Sequence, residues 1–304
     1  MKITIVHQGT KEFIKDVIER LSCEHNVMVM DAQSCPDYSQ LFDSQDLIWA
    51  EWCGSEFAKM SHFKGRAKLV CRLHRYEIFT NLMQIYWPNV SKLVFVSEPA
   101  RKMFDREHPD VEVNKVVIEN GINLGKFKLE EMHQGFDIAW VGYLNVRKNP
   151  QMIPQILGPL VEVDQRYTVH IAGKWQDRLL YHYMEHLLDR TGLTNNVLFH
   201  GWVEDMDGFL SSCQYLLSTS FHESFGYGIV EGMAKGLLPV IHNFPGAEEL
   251  YPSENLFNHT EEAVDMIKYS EINSGEYRAF VTRYSLENQM DKINQLLTEL
   301  GGQR

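Results

Sequence analysis

The stretch 222–250, HESFGYGIVEGMAKGLLPVIHNFPGAEEL, constrains the fold more than any other part of the chain. It opens with a polar turn, passes Gly226 and Gly228, and enters a pattern in which Ile229, Met233 and Leu237 share one helical face. An apolar run over 237–241 follows, closed by the turn residues Asn243, Pro245 and Gly246. Loop, helix, buried strand and loop make up one unit of an open α/β sheet. Glu223 precedes the glycines and Glu231 stands eight positions later, so one carboxylate belongs to the loop and the other to the first turns of the helix. A helix N-terminus attracts anions, and glycines let a ligand approach the backbone closely. The pattern predicts a seat for a ligand that carries both phosphate and hydroxyls.

The rest of the 304 residues repeats this unit. Apolar runs at 2–7, 27–30, 47–50, 68–72, 93–96 and 116–118 alternate with helical or turn-like stretches. After a polar junction near 130 the alternation restarts, with strands expected at 136–141, 168–172, 196–199 and 215–219 and helices at 151–157, 177–191 and 206–213. Pro150 suits the first position of its helix. Such alternation implies parallel strands joined by right-handed crossovers. Gln8, Gly9 and Thr10 form a turn before a helix whose inward face includes Phe13, Val17, Ile18 and Leu21. That is the opening of a nucleotide-binding type of βαβ unit, although no G-x-G-x-x-G accompanies it. The last helix, 286–300, carries Met290, Ile293, Leu296 and Leu297 at helical spacing and is ended by Gly301 and Gly302. The predicted class is α/β with two Rossmann-like domains, 1–130 and 131–284, and a C-terminal helix, 285–304, that is a candidate to pack back on the first.

Apolar residues make up 44% of the chain, enough for two buried cores, and no window reaches the roughly 18 apolar residues of a membrane span. The opening MKITIVHQG reads as a buried strand rather than a signal peptide, so a cytoplasmic protein is expected, with peripheral membrane contact compatible. Five scattered cysteines without metal-ligand spacing are expected to be reduced and structural. The formal net charge of −12 is uneven, because residues 1–130 hold 17 Lys+Arg against 18 Asp+Glu while 131–304 hold 12 against 23. Within the first part, Lys59, Lys64, Arg66, Lys68, Arg72 and Arg75 form a basic cluster, read either as a solvated face or as a contact for an anionic acceptor. H-E-x-x-H, G-x-x-x-x-G-K-[ST] and G-x-S-x-G are absent from the sequence.

Gly9-Thr10, 73–75, 142–148 and 221–231 each follow a predicted strand, at the end where open α/β sheets bind ligands. Their convergence on one crevice would place the site between the domains.

HESFGYGIVEGMAKGLLPVI resembles the E-x7-E signature of retaining GT-B glycosyltransferases of the group-one type. IAWVGYLNVRKNP is similar to that family's strand-Gly-Arg-Leu-x3-Lys-Gly segment, VIENGINLGKF to its Pro-Asn-Gly-Val-Asp-x3-Phe linker, and LVFVSEPARKMF to its Val-Ser-x-x strand end. IAGKW, VLFHGWV and RYSLENQMDKI fall in the family's order. The resemblance covers nearly the whole chain and is most specific over 117–250, with 1–90 poorly matched.

The resemblance implies a GT-B fold, two Rossmann-like domains whose parallel sheets face across a cleft. It implies transfer of a hexose from a nucleotide diphosphate sugar, UDP favoured, to a hydroxyl of a glycan, a lipid-linked glycan or another acceptor, with retention. No cofactor beyond the donor and no metal are implied. The leaving diphosphate gains charge in the transition state, where one well-placed donor is worth roughly 2.7–4 kcal/mol. Lys148 occupies the family's lysine position, with Arg147 beside it, while the arginine expected after Gly142 is Tyr143. Arg147, or the N–H groups of Phe225, Gly226 and Tyr227, would then compensate. By the same resemblance Glu231 accepts hydrogen bonds from the ribose hydroxyls and Glu223 faces the transferred sugar. His74 lies near the reacting carbon, Trp202 and Val203 near the base, and Gly9 at the first strand end. Catalytic roles thus fall to Glu223, Lys148 and His74. No metal-holding Asp-x-Asp is expected to serve the diphosphate.

Two other readings stand beside this one. Tyr143 in the arginine position suits a GT-B binding partner without turnover. The basic cluster suits a glycosyltransferase acting on modified nucleic acid, such as a hydroxymethylated base, against which the charge of −12 argues.

Overall fold

The computed structural model describes residues 1–8, 14–34, 37–80 and 82–302. The chain divides into two compact units, Met1–Gly121 with Leu286–Arg304, and Ile122–Ser285. Each is built on a six-stranded parallel sheet, which is the two-sheet α/β architecture expected from the alternation.

The first unit contains β1 (Lys2–His7), β2 (Asn26–Asp31), β3 (Leu47–Ala50), β4 (Lys68–Leu73), β5 (Lys92–Phe95) and β6 (Lys115–Val117), in the order β2-β1-β3-β4-β5-β6. Side chains alternate across a strand, so the sheet feeds two cores. Ile3, Ile5, Leu47, Trp49, Val70 and Val94 pack on one face with Val17 and Leu21 of the helix Lys15–Glu24. Ile293, Leu296, Leu297 and Leu300 of the last helix, Leu286–Gly301, complete that core. Ile48, Ala50, Leu69, Cys71 and Phe95 face the other way, toward Phe42, Phe57 and Phe104. The backbone N–H of Gly121 donates to Gln289 Oε1 at 2.9 Å, so the last helix is fastened where the chain leaves this unit. Gly9, Thr10 and Phe13 lie outside the described residues.

Four of the six residues of the basic cluster are paired with carboxylates or buried. Lys59 pairs with Glu56 at 2.7 Å, and Arg66 pairs with Asp46. Arg72 and Arg75 are buried, and Arg72 is paired with Glu51. Glu56 belongs to the same helix as Lys59, whereas Asp46 and Glu51 come from elements other than those of Arg66 and Arg72.

The second unit contains β7 (Asp137–Val141), β8 (Thr168–Ala172), β9 (Val197–Gly201), β10 (Tyr215–Ser218), β11 (Leu238–His242) and β12 (Leu256–Phe257). Their order is β12-β11-β10-β7-β8-β9. From β7 the chain winds outward through β8 and β9, then crosses back to β10 and winds the opposite way. The strand order therefore reverses between β7 and β10, the place where open α/β sheets bind ligands.

The helix expected to begin after Pro150 starts instead as a tight turn, Pro150–Met152, followed by the α-helix Ile153–Val163. Pro154 explains the shift. Near the start of this helix its missing N–H costs nothing, whereas in a helix begun at Gln151 it would break a backbone bond. Asp177 caps the helix Arg178–Thr191 by accepting from Leu179 N at 2.9 Å and Leu180 N at 3.1 Å. Cys23, Cys53, Cys71 and Cys213 are free thiols, the last three buried. Cys35 lies outside the described residues. Among the described residues no helix is long and apolar enough to cross a membrane.

Candidate active site

At the end of β7 the ladder continues one residue further, with Gly142 N donating to Ala172 O at 3.0 Å. A Cβ on Gly173 would lie 1.8 Å from the Gly142 carbonyl oxygen, so glycine is required for the two strand ends to meet. A Cβ on Gly142 would in turn crowd Lys148, at 3.2 Å from Cε. The loop then folds back through the turn Val146–Lys148. Asn145 Oδ1 accepts from Lys148 N at 3.1 Å, while its Nδ2 donates to Gln176 Oε1 at 2.8 Å. Asn149 ends the turn in the left-handed region at φ 52°, a conformation asparagine tolerates better than most residues. These local constraints return the Lys148 side chain across the end of β7.

The loop after β10 is laced to this turn. Thr219 Oγ1 receives Trp140 Nε1 at 2.9 Å and donates to Lys148 O at 2.8 Å. Phe221 N donates to Arg147 O at 3.2 Å. The lacing sets Glu223 opposite Lys148, and the two form an ion pair through Oε1, which also accepts from Ser220 Oγ at 2.7 Å. Both side chains are largely enclosed, Lys148 at 18% and Glu223 at 11% exposure. Burial by itself would raise the Glu223 carboxyl. The charge and hydrogen bond of Lys148, the Ser220 bond and the charge of Arg147 together hold it below its ordinary value.

Gly226 follows at φ 81° and opens the helix Tyr227–Lys235. A Cβ there would meet Ile229 Cδ1 and Tyr251 Oη, both at 2.9 Å. Gly228 lets the same helix sit directly on β7, because a Cβ would stand 2.8 Å from Val141 Cβ. Phe225 turns its side chain into the core. Its ring is buried against Tyr227 and Tyr284, and its carbonyl accepts from Tyr251 Oη, so only backbone is presented. Gly236, at φ 105°, stops the helix, and Leu237 therefore belongs to the next connection rather than to the helical face. Glu231 lies on this helix, half-buried, and its carboxylate makes no hydrogen bond among the described residues. Burial raises its pKa to about 7, with the charge of Lys126 pulling the other way.

Tyr143 points toward Trp202, with ring centroids 5.8 Å apart, and Lys174 Nζ stands 5.3 Å from the Trp202 ring. The position expected to carry a guanidinium thus carries an aromatic wall. Val203 is half-buried beyond β9. Asp205 and Asp207 do have Asp-x-Asp spacing, but each serves local structure. Asp205 caps the next helix by accepting from Gly208 N at 3.0 Å. Asp207 pairs with Lys235 at 2.8 Å and accepts from Lys128 N at 3.0 Å. Among the described residues no cluster of His, Cys, Asp and Glu is arranged to hold a metal ion.

His74 belongs to the first unit, just past β4, and it lies in a network that the sequence did not disclose. Glu51, just past β3, is 1% exposed and accepts from Arg72 Nε at 2.8 Å and Nη2 at 2.5 Å. The same oxygen lies 3.2 Å from His74 Nε2, and Trp49 Nε1 donates to the other oxygen at 3.1 Å. Trp52 stacks on the imidazole with centroids 4.0 Å apart. Glu77 accepts from Cys53 N at 2.8 Å and His74 N at 2.9 Å. Burial raises the Glu77 carboxyl to about 8 against these two bonds.

Residues 135–268 match the family model described as glycosyl transferases group 1. Over 111 residues the chain is 29% identical to the tRNA-queuosine alpha-mannosyltransferase of Drosophila melanogaster, a match spanning 36% of this chain and 29% of that protein. The Anabaena protein HepE in complex with UDP superposes with a TM-score of 0.80 at 20% identity, covering 98% of this chain and 100% of that one. A glycosyltransferase from Rickettsia africae superposes with a TM-score of 0.78 at 15% identity, covering 100% of both chains. Residues 135–268 therefore match a group 1 glycosyltransferase domain, and the two-sheet architecture is the GT-B fold.

Proposed function

We propose that the protein is a retaining hexosyltransferase that moves a sugar from a UDP-sugar to a hydroxyl acceptor without a metal ion. The observation that carries this reading is the enclosed Lys148–Glu223 pair beside Gly142 and Gly226, at the point where the strand order reverses. Lys148 and Arg147 neutralise the diphosphate, a task that falls to a bound cation in sites lacking such side chains. Backbone N–H groups at Gly226 and Tyr227 bind the same anion at the helix start. Glu223 accepts from the hydroxyls of the transferred sugar, and Glu231 accepts from the ribose hydroxyls. Tyr143 and Trp202 border the base, Val203 lines the same side, and His74 has the catalytic role that the family resemblance gives it. During transfer the bond between the anomeric carbon and the phosphate oxygen breaks while the acceptor oxygen bonds to that carbon. The departing phosphate takes the acceptor proton on the same face, so the configuration is retained.

Incubation with UDP-glucose and a panel of hydroxyl acceptors, with the product's anomeric configuration read by proton NMR, tests this reading. UDP release with a retained configuration is expected. UDP binding without release would favour the binding partner suggested by Tyr143, and an inverted product would exclude the same-face route.

A modified nucleoside as acceptor is a second reading, favoured by the similarity to an enzyme named for tRNA-queuosine. Three of the six basic residues that first suggested nucleic acid, Lys59, Arg66 and Arg72, are paired with carboxylates. Titration with tRNA at rising salt decides, since phosphate contacts make binding steeply salt-dependent.

A further inference from the structure

The register between β3 and β4 brings four polar side chains to one face at the ligand-binding edge of the first sheet. Trp49 pairs with Val70 and Ala50 with Cys71, so alternation sets Trp49 and Glu51 on the same face as Arg72 and His74. Glu51 is the hub, in contact with all three of the others. Among the described residues the charge of Arg72 of β4 also acts on the imidazole, and Glu77 of the following turn accepts from the His74 backbone N–H.

We propose that Glu51 is the positioning residue of His74, fixing the imidazole in one orientation and one tautomer. The proposal rests on the reading that His74 takes part in sugar transfer. An ionised carboxylate only accepts hydrogen bonds, so the His74 nitrogen that meets it must donate. The proton therefore sits on Nε2 and the lone pair on Nδ1. Arg72 keeps Glu51 ionised by donating two hydrogen bonds to it, so the carboxylate does not compete for the imidazole proton. Burial lowers the imidazole pKa, outweighing the pull of Glu51, and the ring stays neutral near pH 7. Trp52, stacked at 4.0 Å, sets the ring plane, and Glu51 sets its rotation within that plane. A second layer that fixes tautomer and orientation is the usual way a histidine is held ready for use.

Nitrogen-15 NMR of histidine-labelled protein is combined with kinetics of UDP-glucose hydrolysis. Wild-type His74 is expected to report a neutral ring protonated on Nε2. A ring protonated on Nδ1, or an imidazolium at pH 7, would overturn the proposal before any variant is made. In Glu51→Gln the tautomer preference should weaken and kcat should fall about tenfold or more, with the KM for UDP-glucose and the Kd for UDP within about twofold. Because Glu51→Gln leaves Arg72 buried without its counter-charge, the double variant Glu51→Leu with Arg72→Met provides a folded comparison. Wild-type kcat in either folded variant would overturn the proposal. His74→Ala separates the two ideas. If it keeps wild-type kcat, the role given to His74 is at fault; if it loses kcat while Glu51→Gln does not, only the positioning by Glu51 fails.

Discussion

Lys148 and Glu223 are 75 positions apart in the chain and form an ion pair where the loops leaving β7 and β10 meet. Each has a second anchor that does not depend on the other. The backbone of Lys148 is held by Asn145 and Thr219, and the carboxylate of Glu223 by Ser220. Lys148→Ala should therefore keep the loop folded while removing the cation. UDP release from UDP-glucose is expected to fall by about 10²–10³-fold, the cost of one charge-stabilising donor, with little change in the melting temperature. Unchanged release would remove Lys148 from the chemistry.

Gly173→Ala tests the packing that holds the two strand ends together. Its Cβ would lie 1.8 Å from Gly142 O and 2.7 Å from Gly142 C, and backbone cannot rotate away as a side chain does. A loss of about 1–3 kcal/mol is expected from such overpacking, measured by urea unfolding. Wild-type stability would show that β7 and β8 separate without cost.

The pKa of Glu231 near 7 makes donor binding pH-dependent if its carboxylate accepts from the ribose. Only the ionised form accepts two hydroxyl hydrogen bonds, so affinity should strengthen as pH rises through that value. Between pH 6 and 8 the Kd for UDP should improve by up to about tenfold, and Glu231→Gln should flatten this dependence. Calorimetry at several pH values reads both. Tighter binding toward acid would reverse the assignment.

Arg72→Ala should be among the most damaging substitutions in the first unit. It strips the counter-charge from Glu51, which is 1% exposed, at a cost of about 3–5 kcal/mol. Thermal unfolding should show the loss.

The architecture was legible because its signals are local. Gly226, Gly236, Gly246 and Asp177 each mark an element boundary through their own backbone or side-chain chemistry. What stayed hidden depends on register. Glu51 is one glutamate among many until β3 pairs with β4 and places it beside Arg72 and His74. The same limit explains the basic cluster, where Asp46, Glu51 and Glu56 neutralise cations drawn from separate elements. Phe225 shows a further one, since the E-x7-E spacing does not say which of its residues turn inward to the core.

A thermal-shift titration of wild type and Lys148→Ala with UDP measures the central claim most directly. UDP at 100 times its Kd should stabilise the wild type by about 2.7 kcal/mol, and the same concentration should stabilise Lys148→Ala much less. No shift with UDP, or an equal shift in both proteins, would contradict a diphosphate site built on Lys148.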